Sequence, residues 1–222
     1  MIPMQDLRNM VPMLMQKGIE NIDLSMLGED TKTDVLNAIG DEYLRKGRLP
    51  EATKSFVLAN NLQKLAEVGA DYEGLRQFSS AIDVFKMAND FTNIRRLGKR
   101  CFEDGNLQEA AQAFIVLNER EKLIKIGDEC MNRSKWSFAI EVFSYLEDKE
   151  KLSNVGDNCV KDRDLDQAFK AYQLSGDAER MNSLGNLFVK AGLFEQALKA
   201  YTITGNKAMT QFISQNFLNK GK

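Results

Sequence analysis

The sequence predicts an all-α fold: a solenoid of αα-hairpins, about seven hairpins followed by a C-terminal helix, forming a single domain over residues 1–222. Three observations predict it. Several classes of side chain recur every 29 residues without slippage. Gly40, Gly69, Gly98, Gly127, Gly156 and Gly185 form one series, and Ala52, Ala81, Ala110, Ala139, Ala168 and Ala197 a second. Phe56, Phe85, Phe114, Phe143, Tyr172 and Tyr201 form a third, and apolar series from Leu36 and Ile39 keep the same step. Within each period the apolar spacing is helical, and helix-closing residues separate the apolar stripes. A period of this length marks a supersecondary unit that buries its core only by stacking on its neighbours.

Taken in order, residues 1–30 read as a degenerate N-terminal capping unit. Leu7, Met10, Val11 and Leu14 take the stripe of a first helix, Gly18 its turn, and Leu27 the aromatic position, while Asp23 replaces the alanine. Pro12 is expected to kink or shorten that helix. Six of the ten methionines crowd here, at positions 1, 4, 10, 13, 15 and 26. They are expected to cover the first apolar face, the alternative being a flexible binding surface.

Residues 31–205 hold six 29-residue repeats. In the first, Leu36, Ile39, Gly40 and Tyr43 fall at i, i+3, i+4 and i+7, the stripe of a helix A. Gly47, with Gly105 and Gly192 at equivalent places, allows a turn. Leu49, Ala52, Phe56 and Ala59 form the stripe of a helix B, whose first turn suits Pro50. Asn60, Asn89, Asn118, Gly176 and Gly205 then close helix B in the left-handed conformation. Asn61, Asp90, Asp148, Asp177 and Asn206 cap the following helix A. The glycine and alanine series let helices A and B approach, and the aromatic series is expected to fill the space between successive hairpins. Residues 206–222 repeat the helix A pattern once more, with Ile213, Ser214 and Phe217, and place Gly221 at the turn. This last helix is expected to be a cap, the alternative being a fragment cut before the next helix B.

Composition narrows the function classes. Thirty basic and 32 acidic side chains leave a formal charge of -2. So balanced a chain is not expected to bind nucleic acid, which needs clustered Lys and Arg. The absence of histidine removes the commonest general base and metal ligand. No apolar run is long enough to cross a membrane, and no basic region precedes an apolar core at the N-terminus, so a cytoplasmic location is expected. Cys101, Cys130 and Cys159 stand one repeat apart at a core position of helix A. Stacked helices hold such residues about 8–10 Å apart, too far for a disulfide. They are expected to be buried structural thiols, with no metal and no cofactor.

The pattern Leu36, Ile39, Gly40, Tyr43, Ala52, Phe56, Ala59 resembles the tetratricopeptide repeat (TPR) family. That family's unit is about 34 residues, whereas here it is 29; the shortfall lies before the next helix A, and the usual proline is absent. Such short units resemble those of α-solenoids in vesicle-coat and intraflagellar-transport subunits. The resemblance implies a right-handed superhelix, helix A lining a concave face, and protein binding as its work. It places Asp34, Asn37, Asp41, Leu44 and Arg45 in the groove of the first repeat. Carried along the repeats, the implied protein-binding residues are Asp41, Leu44, Arg95, Lys99, Phe102, Asp128, Met131, Asp157, Val160, Asn182 and Asn186. Asp128 and Asp157 are expected to face solvent and offer sites to the Lys or Arg of a partner, beside apolar contacts at Met131 and Val160. Glu121, Glu150 and Glu179 sit where acids also offset a helix macrodipole. Some TPR proteins clamp a chaperone's C-terminal carboxylate with Lys and Asn. Asn182 and Asn186 echo this, but the lysines it needs are absent from the matching positions.

The expected function is a non-enzymatic scaffold binding a partner segment in the concave groove, with no catalytic residue. The alternative is a structural subunit or fragment of a larger coat or transport solenoid. A helical-repeat RNA binder is disfavoured, because the groove aspartates oppose phosphate.

Overall fold

A computed structural model describes residues 4–218, with side chains from residue 10 onward. The described residues form helices and short turns without strands. The chain divides into two compact units, Met1–Asn118 and Glu119–Lys222.

The first unit begins with α1 (Met4–Lys17) and a 3-10 turn (Ile19–Asn21). Three hairpins follow: α2 (Glu29–Arg45) with α3 (Leu49–Leu58), α4 (Leu62–Gly74) with α5 (Phe78–Met87), and α6 (Phe91–Glu103) with α7 (Leu107–Val116). The second unit holds α8 (Arg120–Asn132) with α9 (Trp136–Tyr145), α10 (Lys149–Lys161) with α11 (Leu165–Ser175), and α12 (Ala178–Lys190) with α13 (Phe194–Ile203). It ends with α14 (Lys207–Ile213), which continues as a π-helical turn, Ser214–Leu218. Within each unit the B helix of one hairpin packs on the A helix of the next: α3 on α4, α5 on α6, α9 on α10, α11 on α12, α13 on α14. The architecture is the all-α array of helical hairpins that the period predicts.

The connections are short because one residue reverses the chain. Arg48 N–H donates to the Tyr43 carbonyl and Gly47 N–H to that of Leu44, and the equivalent bonds recur at each A–B turn. This pairing requires a left-handed residue between them. Gly47 supplies it at φ 70°, but Arg76, Ser134 and Arg163 adopt the same conformation with a side chain attached, as Glu147 does at a B–A turn. The expected caps form. Asn61, Asp90, Asp148, Asp177 and Asn206 each accept a hydrogen bond from the backbone N–H three residues on.

Three features differ from the sequence expectations. The aromatic series packs within its own hairpin: each ring lies over the repeat glycine of the A helix before it, and the Phe143 ring also meets Lys151 of the next hairpin. A Cβ on Gly40 would stand 2.5 Å from Phe56 Cε1, and one on Gly185 2.8 Å from Tyr201 Cε1. The glycine therefore clears a ring, and the ring is what separates helices A and B. Next, the degenerate first unit has no second helix. Ile19 and Leu24 pack against Leu36 and Ala59 and cover the first hairpin themselves. Last, the methionines do little of that covering. Met15 is buried, whereas Met10, Met13 and Met26 are exposed, and α1 runs through Pro12. The apolar side of α1 is Val11 and Met15, turned one position from the expected stripe. Met1 and Gly221 lie outside the described residues, and the side chains of Met4 and Leu7 outside the described side chains.

Candidate functional site

The A-helix positions expected to bind a partner are already tied into the repeat. In the first unit Asp41 pairs with Lys64 of the next A helix at 3.2 Å. In the second, Asp128 pairs with Lys151 at 2.6 Å and Asp157 with Arg180 at 3.0 Å. Each acid thus meets a base 23 residues on, at the start of the following A helix. The sequence carried this signal, a basic residue at i+23 wherever Asp follows the repeat glycine. Asp128 and Asp157 keep part of their side chains exposed, as expected, but each already has a cation within the array. Asp157 also accepts from the Tyr172 hydroxyl at 2.8 Å, and Asn186 from the Tyr201 hydroxyl at 2.7 Å. Burial and the Asp157 carboxylate push the Tyr172 hydroxyl well above its usual pKa.

Asn182 is engaged by a second rule. The capping residue of one A helix bonds back to the preceding A helix, 24 residues away. Asn206 Nδ2 donates to Asn182 Oδ1 at 3.1 Å, as Asn61 Nδ2 does to Asn37 Oδ1 at 2.9 Å. Ser153 Oγ likewise donates to Asp177 Oδ2 at 3.3 Å. Leu44, Phe102, Met131 and Val160 are half-buried. Glu121, Glu150 and Glu179 lie in the first turns of α8, α10 and α12, where they offset the macrodipole.

Arg95 and Lys99 fall together, on one exposed face of α6. With Thr92, Arg96, Arg100 and Glu103 they line an open depression of about 450 Å3. Arg96 and Arg100 donate to Glu73 at 2.8 and 3.1 Å. The Arg96 hydrogen bonds, reinforced by Arg100, hold the Glu73 carboxyl below its usual range. Lys99 forms no ion pair among the described residues.

The cysteines are fully buried, free and one to a helix, in α6, α8 and α10. Burial pushes the Cys101 thiol up to about 11, Cys159 to about 12, and Cys130 in the same direction. Among the described residues no group of His, Cys, Asp and Glu comes together in a way that could hold a metal ion. None of the described helices is long and apolar enough to cross a membrane.

One series escaped the sequence reasoning. Leu58, Met87, Tyr145, Leu174 and Ile203 lie in the last turn of their B helices, one period or a multiple of it apart, and each is between 42% and 60% exposed. Val116 completes the series, half-buried. These residues lie off the Leu49–Ala52–Phe56–Ala59 stripe. An apolar residue kept at this off-stripe place in all six repeats was the available signal.

Neither a protein-family model nor a curated protein matches the sequence. Among solved structures, the TPR2AB-domain:pHSP90 complex of yeast Sti1 matches at 14% identity, over 84% of this chain and 97% of that one, with a TM-score of 0.27. A circular tandem repeat protein with novel repeat topology and enhanced subunit contact surfaces matches at 17% identity, over 95% of this chain and 55% of that one, with a TM-score of 0.19. Superpositions this loose carry no argument; the fold rests on the helices and turns described above.

Proposed function

We propose that this chain is a non-catalytic scaffold that takes a segment of another protein along its exposed helix faces. The observation that supports the reading is the exposed apolar series Leu58, Met87, Tyr145, Leu174, Ile203. Single exposed apolar side chains are ordinary on any surface, but contiguous apolar surface marks interaction sites. Here the exposure recurs at one place in the repeat, where the fold itself gains little from it. The half-buried Leu44 and Phe102 in the first unit, and Met131 and Val160 in the second, add apolar contact on the A helices. The aspartates between them belong to inter-repeat pairs, so a basic partner is not required.

Selection of a displayed random-peptide library against the whole chain tests this. Enriched peptide families are expected, and their capture should fall with Leu58→Ser, Met87→Ser, Tyr145→Ser or Leu174→Ser, each folded by circular dichroism. No enrichment, or enrichment indifferent to all four changes, contradicts the reading.

A second reading, a subunit of a larger helical assembly, draws on the C-terminal aromatics. Phe217 stacks on Phe194 at 4.1 Å and meets Phe212 edge-on at 5.9 Å, while Phe212 and Phe217 both remain exposed. Self-association of the purified chain that Phe212→Ser abolishes would favour it.

A further inference from the structure

We propose that one edge of the first unit, together with the exposed Phe91–Arg95–Lys99 face of α6, takes an amphipathic segment of another protein that carries acidic side chains beside apolar ones. The inference rests on the scaffold reading and gives its partner a chemistry. Leu58 and Leu62 flank the turn from α3 to α4, and Met87 and Phe91 flank that from α5 to α6. All four are exposed, by 60%, 39%, 50% and 47%. They make an apolar ridge two residues wide. In the second unit the places of Leu62 and Phe91 hold Lys149 and Ala178, so the ridge is double only in the first.

The ridge runs into positive charge. Phe91, Arg95 and Lys99 succeed one another at four-residue spacing, so they share one face of α6. That face opens on the depression of about 450 Å3 whose lining carries four cations and one acid, Glu103. Glu73 engages Arg96 and Arg100, and Asp104 lies near Arg100. Lys99 keeps its charge without an ion-pair partner among the described residues. An acidic side chain set down here exchanges water for a lysine ammonium flanked by arginines, and its apolar neighbours reach Phe91 and Met87. A basic segment meets the same cations and is repelled. A nucleic acid satisfies the cations but leaves the ridge exposed.

The test measures binding of the whole chain to four fluorescent probes: a synthetic peptide of mixed Leu and Asp, its Leu and Lys counterpart, a peptide of Asp and Ser, and a single-stranded RNA. The Leu and Asp peptide should bind about tenfold or more tightly than the others, and lose affinity as salt rises. Lys99→Glu and Phe91→Ser, both at exposed positions, should each weaken it about tenfold, and Asp128→Asn, in the second unit, should leave it unchanged. Tighter binding of the Lys peptide or of RNA overturns the proposal. So does binding of the Leu and Asp peptide indifferent to Lys99→Glu and Phe91→Ser. In either case peptides enriched from the library keep the scaffold reading standing; an empty selection removes both.

Discussion

At Gly40 the α-carbon lies so close beneath the Phe56 ring that a methyl group would stand 2.5 Å from it. Gly40→Ala should therefore force the ring or the helix to shift, at about 1–3 kcal/mol by urea unfolding. Gly74 is the control within the same fold. Nothing lies within 4 Å of a Cβ there, so Gly74→Ala should stabilise by about 0.5–1 kcal/mol through lower chain entropy. The cysteines give an independent reading of the core. Their thiols are buried and hard to ionise, so a thiol reagent at neutral pH should label all three in urea and none rapidly in the folded chain. Rapid labelling in the native state would contradict the packing of the A helices.

Successive A helices are joined within each unit by two spacings, i+23 for ion pairs and i+24 for capping residues. An exposed pair of this kind contributes about 0–1 kcal/mol, so the ladder sets register more than it adds stability. Glu73 is the exception in placement, its side chain only 11% exposed beneath two arginines. Its pKa is depressed in the fold, so its contribution is present above the unfolded value near 4.3 and is lost as pH falls through the folded value. Between about pH 5 and pH 3 the melting temperature of the native chain should fall more steeply than that of Glu73→Gln. Equal slopes would show that the pairing does not hold the two hairpins. The capping residues were legible in the sequence because a cap obeys a local rule: Asn or Asp three residues before a free N–H. The aromatic rings were legible as core, but not in their close packing on the repeat glycine of their own hairpin. Periodicity gives a side chain's face, whereas the choice between its own hairpin and the next depends on how closely two backbones approach.

Across the whole molecule, the aspartates expected in the groove are paired within the array itself, and an apolar series recurs on the exposed ends of the B helices. The hairpins were legible because 29 residues accommodate a 13-residue helix, a 10-residue helix and two three-residue connections with nothing to spare. The binding positions were legible only as places on helix A. Ion pairs such as Asp157–Arg180 form between residues distant in sequence, and the exposed ends of the B helices fall outside the stripe that reveals a helix. On the proposed scaffold reading, the apolar series on those ends serves a partner rather than the fold. Equilibrium urea unfolding of Leu58→Ser beside Phe56→Ala tests it most directly. Leu58 is 60% exposed and Phe56 fully buried, two residues apart on α3. A loss of about 1 kcal/mol or less is expected for Leu58→Ser, against about 3–5 kcal/mol for Phe56→Ala. A cost of about 3 kcal/mol or more at Leu58 would place it in the core and contradict the claim.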